Sequence, residues 1–196
     1  MAAVSLIGVR GCGKSNVTRR VAAASKRPLL STDVLISYDN GGASIAEIAA
    51  RGWHEFRDLE FGVVQKAAAV PEAIIDCGGG VIVDVDDAGR EVFSDRKVTL
   101  LRSAGPVVWL DGDLDRLAEK ASIPTPTRPP LSDVASTLDL MRARLPFYER
   151  AADIRIDIEG KTRKQLAREV CEAVEDLTPF VEMFPVDETP IGPVTS

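Results

Sequence analysis

The sequence predicts an α/β domain with a central parallel sheet, for two reasons. Short apolar runs typical of buried strands alternate with longer segments in which apolar residues recur at helical spacing. The first of these runs, AVSLIGV, leads into a glycine-rich turn and then into a helical segment. Strands that alternate with helices form βαβ units, in which helices cover both faces of a parallel sheet.

Five apolar runs are candidates for the strands, and six other segments are candidates for helices. The candidate strands are AVSLIGV, RPLLST, EAIIDC, PVVWLD and ADIRIDI. The candidate helices are SNVTRRVAAAS, SIAEIAARG, HEFRDLEFGVVQKAAAV, DLDRLAEKA, DVASTLDLMRARLPFYERA and KTRKQLAREVCEAVEDL. A sheet of five strands is usual for a domain of this length. We therefore predict a three-layer domain over residues 1–176 and an acidic, proline-rich tail or linker over residues 177–196.

Composition narrows the class of protein. The 196 residues, of which 45% are hydrophobic, suffice for one domain and are few for two. A formal net charge of −6 disfavours extensive nucleic-acid binding. The three cysteines are scattered without metal-ligand spacing, which fits a reducing compartment. No apolar stretch is long enough to span a bilayer. We expect a cytoplasmic monomer without nucleic-acid or membrane partners.

The turn after the first strand matches the phosphate-loop pattern, with Gly8, Gly13, Lys14 and Ser15 at the defining positions. Glycines let backbone N–H groups surround phosphate oxygens, and the following helix directs its positive end at them. Lys14 is expected to neutralise the outer phosphates, and the Ser15 hydroxyl is expected to ligate Mg²⁺. We predict that ATP contacts the loop and first helical turn, at Gly11, Cys12, Gly13, Lys14, Ser15 and Asn16.

The phosphate loop alone does not identify the acceptor, because many kinases and NTPases share it. Ligands of open α/β sheets lie at the carboxyl ends of the strands. Asp33 is predicted to end the second strand, and a glycine triplet at 78–80 to end the third, where a ligand can approach the backbone. Three arginines follow along the chain, Arg57, Arg128 and Arg144. Taken singly, each of these residues has a structural explanation, such as a helix cap for Asp33 or a surface ion pair for Arg57.

The order and spacing of these stretches resemble the shikimate kinase family over roughly residues 3–175. The matching stretches are GVRGCGKS, STD, SIAEI, GWHEFRDLE, DCGGG, TRPPL and LPFYERAADIRID. The resemblance implies a phosphate-loop kinase fold with a mobile lid at about 122–132 and a helical substrate-binding segment at about 34–62. It also implies transfer of the γ-phosphoryl group of ATP to the 3-hydroxyl of shikimate, with Mg²⁺.

The resemblance assigns roles to individual positions. Arg57 and Arg144 match the two arginines that bind the shikimate carboxylate, which suits the bidentate geometry of a guanidinium. Asp33 matches the residue that orients or deprotonates the attacking hydroxyl. Arg128 matches the lid arginine over the γ-phosphate, and Lys120 falls near the basic residue beside the adenine. The family's substrate-binding glycine run matches Gly78, Gly79 and Gly80.

One departure from the family concerns the metal site. The family usually has an acidic residue two positions before the substrate aspartate, where this chain has Ser31. Asp76 stands at the end of the third candidate strand, where the family usually has a small residue. Many phosphate-loop enzymes keep a Mg²⁺-directed aspartate at a strand end. We hypothesise that the negative charge has moved from position 31 to position 76, so that Ser15, Ser31 and Asp76 serve the metal.

Two other functions stay open at this point. One is a kinase of the same fold that acts on another small hydroxy acid, such as gluconate. The other is a kinase-like protein that binds nucleotide without catalysis, which the serine at position 31 favours.

Overall fold

The computed structural model describes residues 2–123, 136–174 and Leu177. The strands are β1 (Val4–Ile7), β2 (Leu29–Ser31), β3 (Ile74–Asp76), β4 (Val83–Val85), β5 (Glu91–Phe93), β6 (Val107–Asp111) and β7 (Ile154–Asp157). Five of them form a parallel sheet in the order β2-β3-β1-β6-β7, and β4 and β5 form a separate antiparallel hairpin. Each of the five predicted strands is present, and the predicted five-stranded α/β fold is confirmed.

The helices are α1 (Lys14–Ser25), α2 (Thr32–Asp39), α3 (Ile45–Ala49), α4 (Trp53–Ala68), α5 (Asp95–Ala104), α6 (Leu114–Ala121), α7 (Thr137–Ala151) and α8 (Arg163–Ala173). Several begin at a side chain that accepts a hydrogen bond from the first turn. Ser44 and Thr162 form capping boxes with Glu47 and Gln165, and Ser94 caps α5 through the N–H of Lys97.

The core lies on both faces of the sheet. All four residues of β1 are buried, as expected for the central strand of a covered parallel sheet. Trp109 of β6 is buried and stacks on Tyr148 of α7, with ring centroids 5.8 Å apart. A second apolar cluster of Ile36, Ile48, Ala49, Phe56 and Val63 packs α2, α3 and α4 together. These helices form one wall of the cavity described below.

The structure corrects two expectations about strand ends. β2 ends at Ser31, and Asp33 lies in the first turn of α2 rather than at the end of a strand. The helix cap at this point is Ser31, so Asp33 is not the cap either. A short apolar run such as VLI does not distinguish a strand from a buried helix turn, and here Ile36 is buried while Val34 is exposed. Similarly, β3 ends at Asp76, before the glycine triplet.

The β4–β5 hairpin and α5 were absent from the predicted elements. The hairpin turns at residues 86–89, where Gly89 has a φ of 75° and its N–H donates to the carbonyl of Asp86. A left-handed conformation at this point favours glycine. The segment DRKVTLLRSA then forms α5, and Ser94 is its N-cap residue.

Two predicted segments lie largely outside the described residues. They are the lid at about 122–132, with Arg128, and the tail at 177–196, of which only Leu177 is described. Within the described part of the chain, no helix combines the length and the apolar character needed to cross a membrane.

Candidate active site

A cavity of about 1290 Å³ opens where the strands of the central sheet end. Most of the predicted site residues line it. On the phosphate-loop side these are Gly11, Gly13, Lys14, Ser15, Asn16 and Lys120, and on the other side Ser31, Asp33, Arg57, Asp76, Gly78, Gly79, Gly80 and Arg144. Cys12 is fully buried and does not line the cavity, so the predicted contact of this residue with ATP is not seen in the cavity lining. Arg128 lies outside the described residues.

The phosphate loop needs its glycines for conformation and for space. Gly11 and Gly13 both have a φ of 91°, in the region that L side chains rarely adopt. A Cβ atom at Gly8 would lie 2.6 Å from the carbonyl oxygen of Leu110 on β6. These conditions bring the loop close to the sheet and start α1 at Lys14, with the N-terminus of the helix facing the cavity.

Lys14 is held by its own loop. Its ammonium donates to the carbonyl oxygens of Gly8 at 2.7 Å and Val9 at 3.2 Å, and lies 3.7 Å from the sulfur of Cys12. The side chain is nevertheless part of the cavity wall. An ammonium has three donors, so Lys14 can bind one phosphate oxygen with the donor that faces the weakly accepting sulfur, and a second only in exchange for a carbonyl.

Ser31 and Asp76 are direct neighbours on adjacent strands. The register of β2 and β3 pairs Ser31 with Asp76, and paired residues of parallel strands point to the same face. Asp76 is 9% exposed, and within the described residues its carboxylate accepts one hydrogen bond, a long one of 3.5 Å from the hydroxyl of Thr18. The carboxylate therefore lies at the cavity with little competition from protein donors.

Arg57 is buried deep in the cavity wall, with only 3% of its surface exposed. Its Nη1 donates to Glu60 at 2.8 Å and to the carbonyl of Gly80 at 3.0 Å. The guanidinium carbon lies 5.3 Å from the rings of Trp53 and Phe56. Its Nε is buried and has no hydrogen-bond partner among the described residues. A buried donor without a partner is costly, which indicates that a ligand completes the bonding.

Glu60 is the centre of a buried ion-pair network. One of its oxygens accepts from Arg57 and also from Lys97, at 2.7 Å. Lys97 is fully buried and donates to the carbonyl of Val83, with Asp84 at 3.3 Å. Burial works to raise the pKa of Glu60, but the charges of Arg57 and Lys97 outweigh it and lower the pKa below its usual value. Glu60 is therefore ionised, and it holds Arg57 through Nη1 at the cavity wall.

Arg144, on α7, is also buried and paired. Its Nε donates to Glu91 at 2.7 Å, and its Nη2 donates to the other oxygen of the same carboxylate. One oxygen of Glu91 also lies 3.9 Å from Nη2 of Arg57. Burial works to lower the pKa of Arg144, but the hydrogen bonds and charge of Glu91 raise it overall. The two guanidinium groups are thus adjacent, charged and linked through one carboxylate.

The glycine run packs tightly between these groups. A Cβ atom at Gly78 would lie 2.5 Å from an oxygen of Asp33, and one at Gly80 would lie 2.7 Å from Nη1 of Arg57. The N–H of Gly78 donates to the hydroxyl of Thr32 at 2.8 Å. The hydroxyl of Tyr148 donates to the carbonyl of Gly79. The run therefore positions Asp33 on one side and Arg57 on the other.

This cavity matches the one implied by the resemblance, and comparison with known proteins agrees. A family model described as shikimate kinase matches residues 10–175. The chain belongs to the shikimate kinase family. It is 36% identical over 170 residues to a shikimate kinase of Leptospira biflexa, covering 86% of this chain and 93% of that one. It is 37% identical over 174 residues to a shikimate kinase of Leptospira borgpetersenii, covering 87% and 97%.

Solved structures of the family share the fold. The structure of shikimate kinase from Acinetobacter baumannii in complex with shikimate has a TM-score of 0.75 at 24% identity, covering 88% of this chain and 92% of that one. Shikimate kinase from Bacteroides thetaiotaomicron has a TM-score of 0.71 at 22% identity, covering 88% and 97%. The predicted family and phosphate-loop kinase fold are therefore confirmed.

Several residues that shape this shikimate kinase site were not singled out from the sequence. Glu60 follows Arg57 by three positions on a helix, a spacing that permits an ion pair, but at the surface such a pair has no functional meaning. Glu91, Lys97 and Tyr148 carry no local signal, because each meets its partner across a long stretch of chain. Trp53 is 38% exposed and lines the cavity beside Arg57.

Proposed function

We propose that this protein transfers the γ-phosphoryl group of ATP to the 3-hydroxyl of shikimate, giving ADP and shikimate 3-phosphate. The observation that carries the proposal is the placement of two buried guanidinium groups, Arg57 and Arg144, in the same cavity as the phosphate loop. Buried cations in a cavity wall suit a small acid, and the loop suits a nucleoside triphosphate. Family membership supports the same reaction.

The part of the cavity around Arg57, Arg144 and the glycine run, which we call the acceptor side, is proposed to bind shikimate through charge and shape. The Nε of Arg57 lacks a partner among the described residues, and its Nη2 lies near Glu91 without a close hydrogen bond. This edge of the guanidinium is therefore the one that we assign to the carboxylate of shikimate, together with Arg144. The glycine run lets the ring lie against the backbone, with its hydroxyls towards Asp33. Asp33 then orients the attacking hydroxyl and accepts its proton.

The part of the cavity around the phosphate loop, which we call the nucleotide side, is proposed to stabilise the charge of the phosphates. The loop amides and the N-terminus of α1 surround the phosphates, and Lys14 neutralises charge that develops on the transferred group. Exposed Lys120 lies beside Gly11, with its side chain 3.8 Å from the position of a Cβ there, so we assign it to the adenine side. The role of Arg128, over the γ-phosphate, stays a prediction, as does the lid at 122–132.

The residues at the strand ends fit a Mg²⁺ ion. Within the described residues no cluster of three or more Asp, Glu, His or Cys side chains could enclose a metal. Mg²⁺ in kinases, however, takes most of its ligands from phosphates and water, with one or two protein oxygens. Ser15, Ser31 and Asp76 all line the cavity, and Asp76 has few protein donors. When bound, Mg²⁺ would neutralise phosphate charge. We propose that the Ser15 hydroxyl would ligate it and that Ser31 and Asp76 would hold its water shell.

An ADP-release assay tests the reaction. We expect ADP formation that depends on shikimate, on ATP and on Mg²⁺, with the product identified by mass spectrometry. Shikimate methyl ester, which lacks the negative charge, should be at least tenfold poorer in kcat/KM, since it forms no bidentate ion pair with the arginines. The Asp76→Ala variant should need more Mg²⁺ for half-maximal activity than the wild type.

Each alternative outcome has a distinct meaning. ADP release with gluconate but not with shikimate would favour another hydroxy-acid kinase. ATP binding without turnover of either acid would favour the non-catalytic function. An unchanged Mg²⁺ requirement in Asp76→Ala would contradict the transfer of charge from position 31 to position 76. The domain bounds at 1–176, the cytoplasmic location and the monomeric state remain parts of the proposal that gel filtration and localisation can test.

A further inference from the structure

Glu91 occupies a special position relative to the two guanidinium groups. It stands on β5 of the hairpin that separates the glycine run from α5. Its two oxygens accept from Nε and Nη2 of Arg144, in a side-on bidentate pair. Arg144 lines the cavity, whereas Glu91 does not. The carboxylate therefore grips Arg144 from behind rather than competing for the space in front of it.

Each guanidinium group is held by one carboxylate. Arg57 is held by Glu60, which itself lines the cavity, and Arg144 is held by Glu91, which does not. In addition, an oxygen of Glu91 lies 3.9 Å from Nη2 of Arg57. Glu91 thus faces both guanidinium groups, which would otherwise repel each other across a short distance in a buried site.

The hairpin holds Glu91 in place. Glu91 pairs with Val85 across the two strands, and the neighbouring Asp84 accepts from both Nε and Nη2 of Arg96 at 2.9 Å. Asp84 also lies 3.3 Å from the ammonium of Lys97, which itself binds Glu60. A carboxylate on such a fixed strand has little freedom, so it can define the position of its partner.

We propose that Glu91 is a positioning residue for binding of the acceptor's carboxylate. It locks Arg144 in one orientation and sets the spacing between Arg144 and Arg57. Nε and Nη2 of Arg144 donate to Glu91, which leaves Nη1 as the nitrogen that is not engaged by this carboxylate. The acid then meets Arg144 at that end and Arg57 at its Nε–Nη2 edge. This inference rests on the proposed function, because it concerns the binding of the same acid.

The test compares the Glu91→Gln and Glu91→Ala variants with the wild type. Both should raise the KM for shikimate by about tenfold, because Arg144 loses its fixed orientation, while kcat changes less than threefold and the KM for ATP stays the same. Shikimate titrated by calorimetry should show the same loss. The preference for shikimate over its methyl ester, as a ratio of kcat/KM, should also fall by about tenfold.

A matched control lies on the same hairpin. Asp86 forms an ion pair with Arg90 at the turn and is not paired with either guanidinium of the site. Asp86→Asn should leave all kinetic constants within twofold of the wild type. Thermal unfolding of each variant shows whether it is folded, and Glu91→Gln serves if Glu91→Ala does not fold. A merely structural role would lower activity towards the acid and its ester equally.

Three results would overturn the inference. One is a KM for shikimate within twofold of the wild type in folded Glu91→Gln. Another is a lower KM, which would make Glu91 a competitor of the acid. The third is an unchanged preference for shikimate over the ester. A wild-type protein without shikimate-dependent ADP release would instead contradict the proposed function itself, so the two failures are distinguishable.

Discussion

The two halves of the cavity are held together in different ways. On the acceptor side, Arg57 and Arg144 are fixed by carboxylates of the protein, and Lys97 fixes one of these carboxylates in turn. On the nucleotide side, Lys14 donates to carbonyls of its own loop, which are weaker partners than phosphates. The cations of the acceptor side are therefore held by charged partners of the protein, while Lys14 on the nucleotide side is held by neutral ones.

This difference matches the charges of the two proposed ligands. A small acid brings one negative charge and cannot organise a wall of buried cations by itself. A triphosphate brings several charges and can draw a lysine away from carbonyl oxygens. We accordingly expect substitutions around the arginines to change stability and shikimate binding, and substitutions in the loop to change turnover.

The largest expected effect is on stability, from Lys97→Met. Removal of the ammonium leaves Glu60 with one cationic partner in a fully buried place, which we expect to lower the free energy of unfolding by about 3 kcal/mol. Urea denaturation measures the change. Lys66→Met is the matched control, because Lys66 pairs with Asp39 at the surface and is 62% exposed. Its loss should cost less than about 1 kcal/mol. Equal effects would show that the buried network does not organise the acceptor side.

The next effect is on turnover, from Lys14→Ala. Loss of the ammonium removes charge stabilisation in the transition state, and kcat should fall by about a hundredfold or more. Stability should change little, because the present partners of Lys14 are loop carbonyls. An ADP-release assay measures kcat, and thermal unfolding measures stability. A variant that unfolds as easily as Lys97→Met would contradict the distinction between the two sides.

A smaller effect is expected on shikimate binding, from alanine substitutions in the glycine run. Gly80→Ala places a methyl group against Nη1 of Arg57, and Gly78→Ala places one against Asp33. Each should raise the KM for shikimate by about tenfold, with little change in the KM for ATP. Gly62→Ala on α4 is the control, because Gly62 does not line the cavity and a Cβ there would meet nothing within 4 Å. An equal effect of Gly62→Ala would contradict the role of the glycine run.

The smallest effect concerns the order in which thiols are modified. Cys77 lies on the acceptor side, and burial together with the charge of Asp76 raises the pKa of its thiol far above the ordinary range. Cys12 is buried in the phosphate loop, where Lys14 is held only by neutral partners. We expect N-ethylmaleimide at pH 8 to label Cys12 before Cys77, as followed by peptide mass spectrometry. Labelling of Cys77 first would contradict the greater rigidity of the acceptor side.

The sequence was informative about the framework and about single residues, and less so about their partners. Apolar period and glycine spacing are local properties, so the strands, the phosphate loop and the residues matched to the family could be identified. The β4–β5 hairpin was missed because its strands are only three residues long. Asp33 was assigned to a strand because VLI reads equally as strand or helix. Glu91 and Lys97 could not be linked to the arginines, since the pairing depends on how α4, α5, α7 and the hairpin pack.

The pairing of β2 with β3 bears on how the metal site of such enzymes can vary in sequence. Ser31 and Asp76 are 45 positions apart in the chain, yet they form one rung of the sheet. Under the proposed transfer of charge from position 31 to position 76, an acidic group changes strand and still occupies nearly the same point in space. A sequence motif that requires an acidic residue at position 31 would score this site as lost. A comparison by strand pairing would instead find the acidic residue at the paired position, 76.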